Sequence, residues 1–195
     1  MNILVIKSSV FGDNGNSSTL VNEQVERLKA QHPEATVVVR DLSAEPIPHL
    51  DGERVGAFFT PADQRTVDQQ AVDDFSLALI AELKTADQVV LGLPMYNFGI
   101  PSQLKSWIDH VARAGITFRY TENGPEGLLN DKPVTVVAAR GGLYAGTEND
   151  TVTPYIRLFF GFVGITDVSF VYAEGLNMGD ESKEKAMSEA RAALQ

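Results

Sequence analysis

Apolar runs of strand length recur along this chain, and a stretch with helical periodicity follows each of them. The runs are Met1 to Lys7, Thr36 to Arg40, Asp87 to Gly92, Val134 to Ala139 and Asp167 to Tyr172. They scarcely alternate between apolar and polar residues, which is the pattern of strands covered by helices on both faces, as in parallel sheets. Helical spacing is clearest over 102–114, where Leu104, Trp107, Ile108, Val111 and Ala112 form one stripe. It recurs over 151–164 through Val152, Tyr155, Ile156, Phe159, Phe160 and Val163, with Pro154 in the first turn, where a missing N–H costs little. Weaker helices are predicted over 17–31, 64–86 and 180–194. With right-handed crossovers, this alternation gives an α/β fold. It is a three-layer, doubly wound, five-stranded parallel sheet of order 2-1-3-4-5. Residues 1–195 read as a single domain without repeat or linker. Two irregular stretches, 42–63 and 115–132, are long enough to serve as walls or lids of a site.

Composition removes several classes of function. Sixteen Lys and Arg against 26 Asp and Glu give a net charge of −10. Such a chain repels phosphate backbones and anionic lipid, so neither nucleic acid nor a membrane is an expected partner. With no cysteine there is no thiol nucleophile, disulfide or thiolate-bound metal. His32, His49 and His110 show no ligand spacing, so no metal site is expected. The amino terminus reads as a first strand and not as a signal peptide, which suits a cytoplasmic protein.

Three polar loops follow the first, third and fourth strands. In a 2-1-3-4-5 sheet they converge where the strand order reverses, and ligands of open α/β sheets bind there, beyond the carboxyl ends of the strands. The first loop, Ser8 to Leu20, carries Ser9, Gly15, Asn16, Ser17 and Ser18 into a helix start. The free N–H groups and dipole of such a start suit a phosphate. Simple capping by Asn16 or Ser17 accounts for the same residues equally well. No GK[ST] follows, which argues against a nucleoside triphosphatase. The second loop is Leu93-Pro94-Met95-Tyr96-Asn97-Phe98-Gly99-Ile100-Pro101. Its prolines stiffen the backbone, and its side chains suit a flat, hydrogen-bonding ring. A proline-rich turn with buried aromatics is the plainer reading. The third, Ala139-Arg140-Gly141-Gly142, lets backbone approach a ligand closely, or is an ordinary Gly-Gly turn. Arg140 is read either as balancing charge on a ligand or as a surface ion pair. His110 reads as a surface or packing residue.

These loops resemble the FMN-dependent NADH-azoreductases, which are also NADH:quinone oxidoreductases of flavodoxin-like fold. The resemblance spans the chain and is most specific over Ala86 to Lys105, Val111 to Leu128 and Gly161 to Asp167. It implies that Ser9, Gly15, Asn16 and Ser17 hold the phosphate of FMN. It further implies that Met95, Tyr96, Asn97 and Phe98 line the isoalloxazine, with Ala139, Arg140, Gly141 and Gly142 completing its edge. Asn97, Tyr120 and Phe162 are the expected substrate-binding residues. No side chain is expected to act as an acid–base catalyst, because FMN carries the chemistry. NAD(P)H is the expected donor, and quinones and azo compounds are the expected acceptors. A homodimer with its active site at the interface is also implied. Two positions depart from the family pattern: Ala139 stands where a hydroxyl is expected, and Gly15 where a polar side chain is expected. A flavodoxin-type electron carrier is the alternative function. A receiver-type signalling domain is disfavoured, because the first strand ends in Lys7-Ser8-Ser9 and not in clustered acids.

Overall fold

A computed structural model describes residues 1–194. Its main sheet contains β1 (Asn2–Lys7), β2 (Thr36–Asp41), β3 (Gln88–Pro94), β6 (Val134–Ala139) and β7 (Val168–Ala173). All are parallel and lie in the order β2-β1-β3-β6-β7, which is 2-1-3-4-5 when only these strands are counted. The helices are α1 (Asn16–Gln31), α2 (Gly52–Phe59), α3 (Val67–Thr85), α4 (Ser102–Val111), α5 (Val152–Val163) and α6 (Asp180–Ala193).

Successive side chains of a strand point to opposite faces, so one strand feeds two cores. Ile3 and Val5 of β1 join Leu20, Val21 and Val25 of α1 and Met187 and Ala190 of α6. Leu4 and Ile6 join Leu79, Ile80 and Leu83 of α3, Trp107 of α4 and Ile156 and Phe160 of α5. Each such aliphatic side chain gains roughly 1.5–3 kcal/mol from full burial. Helix starts follow local chemistry. At α3, Thr66 accepts from the Gln69 N–H while the Gln69 side chain accepts from the Thr66 N–H, a reciprocal capping box. None of the described helices is long and apolar enough to cross a membrane.

Three features differ from the sequence reading. The stretch 42–63 contains α2, started by Asp51, whose carboxylate accepts from the Arg54 N–H at 2.9 Å. Two glycines dilute the helical signal of α2, and Ala57 is its only buried residue among those described. The stretch 115–132 contains an antiparallel hairpin of β4 (Phe118–Thr121) and β5 (Gly124–Gly127). The Gly-Pro-Glu-Gly of β5 has none of a strand's usual composition. Finally, β2 is not covered on both faces. It is an edge strand, and Val38 and Val39 remain 39% and 50% exposed.

Candidate functional site

Ser8 and Ser9 leave β1 at the carboxyl edge of the sheet. The buried Ser8 hydroxyl donates to the Gly92 carbonyl at 2.7 Å, tying the loop to β3. Ser9 is also buried; its Oγ accepts from the Phe11 N–H at 3.2 Å and lies 3.3 Å from Tyr96 Oη. The Lys7 ammonium is taken by Asp13 at 2.7 Å, and it lowers the Asp13 pKa by hydrogen bond and charge, with Asn22 assisting. Helix α1 then begins at Asn16 with Gly15 at the cap and no capping side chain. Neither Asn16 nor Ser17 caps this helix. Its leading N–H groups therefore face outward unclaimed by a side chain. Ser17 and Ser18 are buried, and each Oγ lacks a hydrogen-bond partner.

Gly15 has an ordinary backbone conformation, φ −72°. The need for glycine here is steric, because a Cβ would lie 2.2 Å from Ser9 Oγ. The polar side chain expected by resemblance is thus absent because Ser9 fills its space.

From β3, the Met95 N–H donates to the Ala139 carbonyl at 3.0 Å. Tyr96 and Gly99 exchange two backbone hydrogen bonds, each 3.0 Å, around Asn97 and Phe98. Both central residues have positive φ, 50° and 60°, the geometry of a type I′ turn. Such turns favour Asn at the first position and Gly at the second, so Phe98 is held against its backbone preference. Thr151 Oγ1 donates to the Phe98 carbonyl, and the Phe98 ring lies edge-on to Tyr144 at 5.6 Å.

At the end of β6, Gly141 is pressed against Asn177, whose Nδ2 would lie 2.6 Å from a Cβ. At Gly142 a Cβ would lie 2.7 Å from Tyr144 Oη. Glycine is what lets these neighbours approach. Arg140 is not a surface residue: it is 1% exposed and ion-paired with Asp150 and Glu174. Burial raises the Asp150 pKa, but the hydrogen bonds from Arg140 and Thr153 outweigh it and leave that pKa lowered.

These segments enclose a cavity of about 170 Å³. Ser9, Gly15, Asn16, Ser17, Met95, Tyr96, Ala139, Arg140 and Gly141 all line it. Phe11, Pro94, Leu176 and Asn177 line it too. The last two follow β7, in the loop Glu174-Gly175-Leu176-Asn177-Met178-Gly179, whose glycines and Asn177 are the signal that marks it and that the sequence reading passed over. Asn97 and Gly142 are not among its lining residues. Phe98 instead borders a second, more apolar hollow of about 510 Å³ with His49, Ile100, Lys105, Val152 and Tyr155. Tyr120 and Phe162 line neither. They flank Phe118, with ring centroids at 5.5 and 4.2 Å, and Tyr120 is 74% exposed. His110, fully buried, packs edge-on between Phe58 and Phe75 and takes no part in the cavity.

A parallel sheet of this order, with an uncapped helix start and a glycine turn across one cavity, defines the flavodoxin-like class. Residues 1–195 match the family model described as flavodoxin-like fold. An FMN-dependent NADH:quinone oxidoreductase of Alcanivorax borkumensis is 79% identical over 194 residues, covering 100% of this chain and 98% of that one. A protein of the same name from Cellvibrio japonicus is 59% identical over 189 residues, covering 97% and 94%. The crystal structure of an azoreductase from Bacillus anthracis superposes with TM-score 0.90 at 28% identity, covering 100% and 96%. An FMN-dependent NADH-azoreductase from the same species, in complex with FMN, superposes with TM-score 0.88 at 28% identity, covering 99% and 97%. The chain belongs to the family of FMN-dependent NADH:quinone oxidoreductases.

Proposed function

We propose that this chain binds FMN in the cavity between α1 and the Gly141-Gly142 turn, and carries two electrons from NAD(P)H to quinones and aromatic azo compounds. The observation that carries this reading is the pairing, in one cavity, of an uncapped α1 with a buried, unpartnered Ser17 hydroxyl. A buried hydroxyl left without a partner is costly unless a ligand supplies one. A phosphate also suits a helix N-terminus, whose N–H groups and positive dipole end favour anions.

In this reading Ser9, Gly15, Asn16 and Ser17 hold the phosphate. Met95 and Tyr96 pack against the ring system, and Asn97, Phe98 and Gly142 form the outer rim. Gly141 presents its backbone N–H to the ring edge, while Ala139 and Arg140, whose backbone groups are tied to Met95, Ala173 and Leu176, form the wall behind it. When bound, FMN supplies the two-electron chemistry between nicotinamide and acceptor. The protein's part would be to hold the ring between Met95, Tyr96 and the Gly141 turn. Donor and acceptor would reach the ring through the same mouth of the cavity, which is why ping-pong kinetics are expected.

We further propose a homodimer in which Tyr120 and Phe162 of one copy complete the acceptor site of the other. Within one chain they flank the buried Phe118, away from the cavity, with Tyr120 exposed and Phe162 half-buried. Steady-state assays with NADH and NADPH, quinone and azo acceptors, and with and without FMN test the reading. Parallel double-reciprocal lines and flavin-dependent turnover are expected. Equal turnover without flavin contradicts it.

A further inference from the structure

Glu174, at the end of β7, is outside the cavity and matches no motif read from the sequence. One of its oxygens, Oε1, accepts three N–H groups. The donors are the Tyr144 and Ala145 backbone, each at 2.9 Å, and the Arg140 guanidinium at 3.1 Å. The same Arg140 donates through its other terminal nitrogen to Asp150 at 2.8 Å and to Thr153 at 2.7 Å. Asp150 in turn accepts from the Thr153 N–H at 3.0 Å, at the start of α5. One oxygen thus fastens both ends of the Arg140–Ala145 segment, with Gly141 and Gly142 between them. The next residue, Gly175, adds an N–H to the Gly142 carbonyl at 3.0 Å.

Two carboxylates surround a single guanidinium, so this buried group carries a net charge of one negative. Arg140 is 1% exposed, and the side chains of Asp150 and Glu174 are 7% and 15% exposed. Charges in such a site are only weakly screened by water. Arg140 therefore offers no free positive charge to a ligand.

We propose that Glu174 is a positioning residue for the flavin edge: it fixes the Gly141-Gly142 turn through Arg140, Tyr144 and Ala145, and its charge lowers the reduction potential of the bound flavin. This rests on FMN occupying the cavity. A negative charge behind the turn disfavours electron density arriving on the ring in front of it, so removing the charge raises the potential.

Two variants of the full chain separate charge from geometry. Glu174→Gln retains an oxygen acceptor and removes the charge. Glu174→Asp retains the charge and withdraws the oxygen by one methylene. Each is titrated with FMN as apoprotein and then poised in a redox titration, beside the unaltered protein. Glu174→Gln is expected to bind reduced relative to oxidised flavin about tenfold better, which is about +30 mV for a two-electron couple. Glu174→Asp is expected to hold the potential and bind FMN about tenfold more weakly. A Glu174→Gln potential equal to that of the unaltered protein overturns the charge role, and unchanged FMN affinity in Glu174→Asp overturns the positioning role. Should one variant fail to fold, the other still decides its own half. If the unaltered protein takes up no FMN, the proposed function itself has failed, whatever Glu174 does.

Discussion

Ser17 is 1% exposed and carries an oxygen that no group in the chain satisfies. Ser18 is likewise buried and unpartnered, but only Ser17 lines the cavity, so its removal separates ligand binding from folding. Ser17→Ala should leave the apoprotein as stable as before, or slightly more so, in urea unfolding. The same variant should bind FMN about ten- to a hundredfold more weakly, since a hydrogen bond to a charged group contributes roughly 1.5–3 kcal/mol. Unchanged FMN affinity would remove Ser17 from the site. His110 makes an opposite kind of prediction. Its Nδ1 lies 2.8 Å from the Ser106 carbonyl, its Nε2 is unpartnered, and burial pushes its pKa below the usual 6.5. A histidine kept neutral by folding contributes stability that is complete above the unfolded-state value. That contribution fades as pH falls from 6.5 toward the lower folded-state value. Unfolding midpoints should therefore drop as pH falls below 6.5, and His110→Leu, though less stable at neutral pH, should show a shallower drop. The sequence placed Ser17 and Arg140 near a ligand, but not what each does. The burial of the Arg140 guanidinium depends on Asp150, Glu174 and Thr153, and the Ser17 hydroxyl is left unpartnered, and only the fold decides either.

Among the elements, the Tyr96–Gly99 turn carries the clearest internal conflict. Phe98 occupies a left-handed position that costs an ordinary residue roughly 1–2 kcal/mol relative to glycine. Glycine there would relieve that strain but add roughly 0.5–1 kcal/mol of chain entropy to the cost of folding. Phe98→Gly should thus change stability by less than about 1 kcal/mol. Its quinone KM should rise severalfold as the rim beside Tyr144 is lost, with steady-state kinetics as the check. An unchanged KM would make Phe98 merely a turn residue. Elements with strong periodicity were legible to within a few residues: α4 and α5 fall at 102–111 and 152–163, inside the predicted spans. The elements that went unread are α2, whose apolar stripe spans only eight residues and two glycines, and the β4–β5 hairpin, whose β5 reads Gly-Pro-Glu-Gly. They are held by a single cap, a two-residue turn and contacts to the rest of the chain.

For the whole molecule, topology was the most legible property, because unalternating strands and intervening helices leave few right-handed arrangements. The convergence of three loops followed from that topology and placed most of the cavity. What did not follow was the fourth wall, Leu176 and Asn177, which closes over Gly141 from β7. Nor did topology place Tyr120 and Phe162, which sit together on Phe118 and not at the cavity. If the acceptor site is shared between copies, Tyr120→Ala should weaken quinone binding while sparing FMN affinity. A loss of FMN affinity instead would place Tyr120 against the cofactor. The most direct measurement for the account as a whole is an anaerobic titration of apoprotein with FMN, followed by NADH and then a quinone. The account predicts saturation at one FMN per chain, bleaching of the flavin by NADH alone and full return of its colour on adding quinone. An apoprotein that takes up no FMN, or a bound flavin that NADH leaves oxidised, would contradict it.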